Sequence, residues 1–423
     1  MPPLRFTDAA IAALSTWLIW TLLKGVYNLY WHPLAKYPGL KAAAFSSWWK
    51  VYQEVVAPKN LVDTLFELHS QYDPVLYHAF AEAESSFSLC DYRRAKARKD
   101  ILQPFFSRKS IVDMQHLVQD CVEEMCAKIK LQYDNGKSTN VLLAFRCISV
   151  DAIMSFCFAN SLHALREPNF EAPVEKAMTL ALPTVTKIKY LPIIKHFSSI
   201  CPPALMSFLK PELAGLVQMR VVLRDQVKHV LENATALQEA PHPVIYHALL
   251  NPVHGPRPSI TSLRDEALLL VFAGTDTASN VLTVGTMHIL SKPAIHARLK
   301  AEILEAWPNQ ARMPRFEEME RLPYLTAVIK ESLRLSHGPI SPMTRIVPKE
   351  GAEINGKWVP GGTNVGISSC FVHLNDDIFP DPYTFNPERW LGPEAEGLDH
   401  WLVAFSRGPR SCLGIKYAFS FFV

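Results

Sequence analysis

From Leu263 to Leu290 the chain runs through a long apolar stretch with few charges after Glu266. A helix that is apolar on most faces has to be enclosed by other elements, so this stretch demands a large packed body around it. The 423 residues, 49% hydrophobic and 20% charged, are enough to supply one. From Asn60 to Leu299 the pattern is mainly helical. Within 111–130, Ile111, Met114, Leu117, Val118, Cys121 and Met125 recur at the helical period. From Gly351 to Val365 it changes to short alternating segments with Gly and Pro, as in small strands and turns. The last third is punctuated by Phe379-Pro380-Asp381-Pro382, Phe385-Asn386-Pro387 and Gly392-Pro393. The expectation is a mainly α fold with small β-sheets and no internal repeat. Thirty-two Pro against 17 Gly fit helices ended by Pro-containing loops, not a disordered or collagen-like chain.

The net charge of +3 gives no global reason to expect a nucleic-acid partner. Eight cysteines are scattered without a CxxC pair, which points to a reducing compartment and mostly apolar thiols. The N-terminus stands apart. Ala9 to Leu23 carries no charge, and apolar character resumes through Val26, Tyr27, Leu29, Tyr30 and Trp31. A spanning helix needs about 20 such residues, a length reached here if Lys24 and Asn28 sit at the interface, where Lys snorkels and Tyr and Trp are favoured. No small-residue cleavage site follows, so a signal peptide is the weaker reading. Lys24, Lys36, Lys41 and Lys50 outweigh Arg5, which places the body in the cytosol. The expected division is a transmembrane anchor over 1–31, a Pro-containing linker with the start of the body over 32–59, and the body over 60–423. His32-Pro33-Leu34-Ala35-Lys36-Tyr37-Pro38-Gly39 is the stiff connector. With a cytosolic body, the sequon Asn233-Ala234-Thr235 stays unmodified.

The segment Phe405-Ser406-Arg407-Gly408-Pro409-Arg410-Ser411-Cys412-Leu413-Gly414 carries the chemistry. A lone Cys is usually a small core residue. This one sits in a Gly-rich loop, with cations two and five residues before it and a helical run after it. Loop N–H groups, the helix N-terminus and Arg410 all favour thiolate over thiol. Thiolate is the form that ligates iron, and as an axial haem ligand it favours O–O cleavage. Gly408 and Gly414 let the backbone approach a flat macrocycle. The segment resembles the cytochrome P-450 signature F-x-x-G-x-R-x-C-x-G, with Phe405, Gly408, Arg410, Cys412 and Gly414 at its fixed positions. The resemblance implies a cytochrome P-450 fold and a haem of the heme b type, with Cys412 as the metal ligand.

Further motifs follow in the order that family has. Ala273-Gly274-Thr275-Asp276-Thr277 interrupts the apolar helix with residues poorly suited to a buried helix interior. Alone it reads equally as a weakened turn with Thr hydroxyls bonding back to carbonyls. It resembles the family's oxygen-binding motif A-G-x-D-T. By that resemblance Ala273 and Gly274 lie against the haem, Gly274 opening a groove over the iron, while Asp276 and Thr277 organise water and deliver protons. A hydroxyl beside a carboxylate makes a proton relay in a dry site. Glu331 and Arg334, at i and i+3, would usually be a solvated pair. They resemble the E-x-x-R element, and Pro387-Glu388-Arg389-Trp390 resembles the later P-E-R-[FW] element. The implied buried triad of Glu331, Arg334 and Arg389 is structural. Arg410 and Arg345 match propionate-binding positions, although Arg345 reads equally well as a surface Arg. In the run Arg93, Arg94, Lys96, Arg98, Lys99, the family's W-x-x-x-R, or H-x-x-x-R, becomes Ala95 and Lys99. The stacking residue is lost and a bidentate Arg becomes Lys, leaving Lys99 as the cofactor contact. The other cations form a solvated face or a dock for an acidic electron donor.

The resemblance implies an endoplasmic-reticulum, single-pass monooxygenase. It would take electrons from an NADPH-dependent cytochrome reductase, with a cytochrome b-type protein as a second donor. The connector and Phe379-Pro380-Asp381-Pro382 resemble fungal members that decorate secondary metabolites, including trichodiene oxygenase-like enzymes. Val271, Phe272 and the stretch Gly338 to Met343 are the expected pocket, suited to hydroxylation or epoxidation of an apolar terpenoid or polyketide. The chain stops at Val423, eleven residues after Cys412, where the family continues into further strands. A C-terminally incomplete body is therefore expected, and a haem-binding remnant of impaired activity is one alternative. Another is an isomerase or dehydratase that does not use dioxygen, against which the Asp276-Thr277 pair argues.

Overall fold

The computed structural model describes residues 6–35, 41–46, 49, 52, 84–89, 91–179, 214–233, 235–309, 312–340 and 345–423. Cys90, Cys201, Lys36, Lys50, Ala234 and pocket positions 341–343 lie outside the described residues. The chain divides into two compact units, one of residues 1–76 with 341–367, the other of 77–340 with 368–423.

The first unit contains helix α1, Phe6–Tyr30, whose Ile11, Leu14, Leu18, Ile19, Leu22 and Leu23 are exposed. A helical turn, Lys41–Phe45, packs back on it. The unit also holds two small antiparallel ladders: β1 (Arg345–Ile346) with β4 (Asn364–Val365), and β2 (Ala352–Ile354) with β3 (Lys357–Val359). Asn355 and Gly356, both at positive φ, make the tight β2–β3 turn.

The second unit is helical. α2 (Tyr92–Leu102) starts at Asp91, whose side chain accepts the Arg94 N–H at 2.8 Å. A short helix, Arg108–Asp113, and α3, Gln115–Asp134, occupy the region expected as one helix over 111–130. The break falls at Met114, with φ −109° and ψ 13°. Ile111, Met114 and Val118 are nevertheless all buried in one core, so the apolar spacing runs across the break.

α4 (Val141–Phe158) is buried along most of its length. It packs on α6 (Ile260–Ser291), which spans the expected apolar stretch and begins at the N-cap Ser259. α5 (Ala214–Glu232), α7 (Pro293–Ala306), α8 (Pro323–Ser336) and α9 (Ile415–Phe422) also pack on α6. α4 and α6 are long and apolar enough to cross a membrane by composition. Yet 67% and 50% of their apolar windows are buried inside the protein, so their hydrophobicity is that of a core.

Candidate functional site

The loop before α9 closes on itself. The Cys412 N–H donates to the Phe405 carbonyl at 2.9 Å, and the Ser411 N–H to the Gly408 carbonyl at 2.9 Å. Gly408 holds φ 76°, a conformation that favours glycine. The Phe405 ring rests on Phe419 of α9, centroids 5.8 Å apart, which ties the loop to the helix. Gly414 caps α9, and its N–H is directed at the Cys412 thiol.

Burial raises the Cys412 thiol above its ordinary value; the Gly414 N–H and the charge of Lys99 oppose this without cancelling it. The expected thiolate is therefore not produced by the loop alone, because desolvation outweighs its dipoles. A coordinated cation deprotonates such a thiol outright. Although protein crowds it, Cys412 is exposed at its own surface. Both hold together when the sulfur lines a cavity, which fits a ligand approaching a metal from one side.

Lys99 and Arg410 both bond to backbone carbonyls around the thiol loop. Lys99 Nζ donates to the Ser411 carbonyl at 2.6 Å, the Ser411 hydroxyl at 3.1 Å and the Pro409 carbonyl at 3.3 Å. Desolvation lowers its pKa, while the neighbouring Cys412 acts in the opposite sense. Arg410 donates to the Ser86 and Phe87 carbonyls at 3.2 and 3.4 Å, and to that of Leu89. Both cations thus clamp the thiol loop to α2 and to residues 84–89, because unpaired buried carbonyls there would be costly.

Only part of the basic run faces solvent. Arg93, Arg94 and Lys96 are exposed, Ala95 is buried, and Arg98 and Lys99 turn inward. Arg98 bonds the Ser262 hydroxyl at 2.8 Å and lies 3.7 Å from Glu266, fastening α2 to α6. Glu266 is fully buried and accepts from the Ser86 N–H and hydroxyl at 2.8 and 2.6 Å.

Midway along α6, Ala273 and Thr277 are exposed while Val271, Thr275 and Ala278 are buried. One turn apart, they form a window on a single face. Gly274 also sits at a tight contact with α4. A Cβ there would lie 2.8 Å from Ile153 Cγ1, so glycine lets α4 pack closely. Asp276 and Thr277 are not bonded to each other. Thr277 Oγ1 donates to the Ala273 carbonyl at 2.7 Å, and Asp276 Oδ1 accepts from Arg146 Nη2 of α4 at 2.7 Å. Of the expected pocket residues, Val271 is therefore core, and Phe272 is half-buried against that core. α9 packs on α6, so the thiol loop and the window belong to adjoining elements.

Glu331, Arg334 and Arg389 meet as one buried cluster. Arg334 forks onto Glu331 with bonds of 2.9 and 2.8 Å, and Arg389 Nε reaches Glu331 Oε1 at 3.2 Å. The Trp390 indole and the Asn386 N–H complete the carboxylate's shell at 2.8 and 2.9 Å. Burial acts to raise the Glu331 pKa, but Arg334 and these donors outweigh it and the net shift is downward. Arg345 lies in the first unit, opposite Val365 in the β1–β4 ladder. Sequence reasoning missed Arg146 and its neighbour Glu175. Their partners lie on other helices, and no local spacing marks them.

A cysteine that is crowded yet open, beside a core helix with an open Ala–Thr face, is an arrangement that suits a haem-thiolate protein. The sequence profile of the cytochrome P-450 family matches residues 56–419. The chain is 30% identical to Cytochrome P-450 monooxygenase flvC of Aspergillus flavus, over 95% of this chain and 86% of that protein. It is likewise 30% identical to Cytochrome P-450 monooxygenase macH of Penicillium terrestre, over 97% and 88%. Cytochrome P-450 monooxygenase BOT1 of Botryotinia fuckeliana is 29% identical, over 97% and 86%. The chain belongs to the cytochrome P-450 family. It is accordingly an oxidoreductase that incorporates oxygen from dioxygen, with a haem-thiolate iron as its cofactor.

Proposed function

We propose that this chain hydroxylates or epoxidises an apolar small molecule in fungal secondary-metabolite biosynthesis, with Cys412 as the residue that would hold the iron of its haem. The observation that carries the reading is the Cys412 thiol, crowded by protein yet open at its own surface. The Cys412–Phe405 and Ser411–Gly408 bonds hold the sulfur in place, and the Gly414 N–H and Lys99 temper its charge. When bound, the haem supplies dioxygen activation and electron uptake. The chain's own residues set the surroundings. The exposed Ala273 and Thr277 would border the bound haem, and Gly274 keeps α6 seated on α4. Asp276 and Thr277 move protons once Asp276 is free of Arg146. Phe405, Gly408 and Gly414 shape the thiol loop. Arg410 and Lys99 brace it, and Arg345 is the cation assigned to a propionate. Glu331, Arg334 and Arg389 fix the core on which the loop rests.

Electrons come from NADPH through a membrane-bound cytochrome reductase, with a cytochrome b-type protein as a further donor. Arg93, Arg94 and Lys96 present the exposed cations for such an acidic partner. Residues 1–31 anchor the protein as a single span in the endoplasmic reticulum, 32–59 link the anchor to the body, and the body at 60–423 is cytosolic. Exposed Leu and Ile side chains along α1 support this reading, since water does not favour them.

The test is the carbon monoxide difference spectrum of the reduced protein. A Soret band at the long-wavelength position of thiolate ligation is expected, and its loss in Cys412→Ala with the fold retained identifies the ligand. A band unchanged in that variant would assign the iron to another residue.

A further inference from the structure

Beside Asp276 lies a pair of charged side chains, Arg146 and Glu175, to which the proton chemistry as described gives no role of their own. Arg146 of α4 stands between two carboxylates. Its Nη2 is 2.7 Å from Asp276 Oδ1, and its Nε is 3.8 Å from Glu175 Oε2. Glu175, in the helical residues 173–179, is fully buried. Neither of its oxygens has a hydrogen-bond partner among the described residues. A third side of the guanidinium meets the Thr179 hydroxyl, which itself donates to the Glu175 carbonyl at 3.0 Å. Asp151 of α4 also acts on Glu175, but its own oxygens are satisfied by the Ser161 hydroxyl and the Leu165 N–H, both at 2.8 Å. Arg146 is therefore the main cation answering Glu175, and Asp276 competes for it.

Resting on the monooxygenase reading above, we propose that Arg146 and Glu175 are positioning residues that latch Asp276 according to the charge of Glu175. With Glu175 neutral, Arg146 has one anion to satisfy and holds Asp276 turned from Thr277. With Glu175 ionised, an unsolvated carboxylate draws the guanidinium towards itself. Asp276 is then released to the proton path at Thr277. The latch suits neutral pH, because burial, opposed by Arg146 and reinforced by Asp276 and Asp151, pushes the Glu175 carboxyl up to about 7. Arg146 cannot deprotonate, so the switch lies in the carboxyl.

The test is an infrared pH titration of the carboxylic-acid C=O stretch in the full-length holoprotein, alongside product formed per dioxygen consumed. The wild type is expected to show an acid band with a midpoint near 7 that is absent from Glu175→Gln. In Asp276→Asn the midpoint moves to lower pH, because removing the Asp276 charge leaves Arg146 to Glu175 alone. Coupling of oxygen use to product rises with pH through neutrality in the wild type. In Glu175→Gln it stays at the low level, since a neutral amide keeps the latch shut. An acid band that persists in Glu175→Gln, a midpoint unmoved in Asp276→Asn, or a wild-type coupling profile in Glu175→Gln each overturns the latch. Failure of the haem-thiolate reading shows separately, as absence of the long-wavelength carbon monoxide band. If Glu175→Gln does not fold, the wild-type profile decides: coupling that rises through the midpoint of the Glu175 band supports the latch, and coupling flat across it overturns the latch.

Discussion

Arg334 shows how one side chain can organise a region without touching the chemistry. Its guanidinium spends all its donor positions. Two reach Glu331, and the others reach the carbonyls of His373 and Pro382 at 2.8 and 2.6 Å and of Thr384 at 3.2 Å. Lysine cannot reproduce that fork. Breaking a buried pair from one side leaves the other charge uncompensated, which typically costs about 3–5 kcal/mol. Arg334→Ala is therefore expected to lower the unfolding free energy obtained from urea titration by an amount in that range, and Arg334→Lys to recover only part of it. The partner supplies a pH signature. The Glu331 carboxyl is held below its ordinary 4.5, so the folded state releases its proton more readily than the unfolded chain. The stability gained is fully present above about pH 4.5 and is lost as pH falls through the lower, folded value. Melting temperature followed into acid should fall less steeply in Glu331→Gln than in the wild type. Equal slopes would mean that the carboxylate is not the stabilising form.

At the scale of elements, the contact of α4 with α6 is the joint on which the site depends, and at Gly274 it is too tight for a Cβ. Gly274→Ala gains about 1 kcal/mol of helix propensity. Set against it, the new methyl meets Ile153, which is itself 2% exposed and cannot move aside, and overpacking costs about 1–3 kcal/mol. Gly274→Ala should therefore destabilise, and Ile153→Ala should relieve it. A double-mutant cycle that came out additive would remove the steric account. This joint also marks the limit of what the sequence alone makes legible. The thiol loop could be read because Phe405 to Gly414 are contiguous and their spacing is the chemistry. α6 could be read from its apolar length, and Glu331 with Arg334 from a spacing of three. The break at Met114 could not, because buried residues continue at the same period on both sides of it. The aims of Lys99 and Arg410 depend on carbonyls presented by distant segments. Arg146 and Glu175 gain meaning only when α4 is laid against α6. In each of these cases the deciding partner is remote in sequence, where local periodicity carries no information.

At the scale of the whole molecule, the cores that α4 and α6 build account for their hydrophobicity, whereas α1 carries an apolar surface that its own unit leaves exposed. Its 25 helical residues extend about 37 Å, more than the roughly 30 Å hydrocarbon thickness of a bilayer. A helix satisfies its backbone groups internally, so nothing in α1 opposes immersion except its few polar side chains. Lys24 Nζ lies 4.7 Å from the centre of the Trp20 ring, a cation and an aromatic side chain together where an interface is expected. A spanning helix differs from surface adsorption in its response to salt and alkali, because adsorption rests partly on charge, which salt screens. The full chain is therefore expected to sediment with membranes and to resist both high salt and alkaline carbonate. A chain lacking residues 1–31 should move to the supernatant while keeping the long-wavelength carbon monoxide band. Release of the full chain by carbonate would reduce α1 to a peripheral contact. Sedimentation of the shortened chain would place the membrane-binding surface elsewhere in the protein.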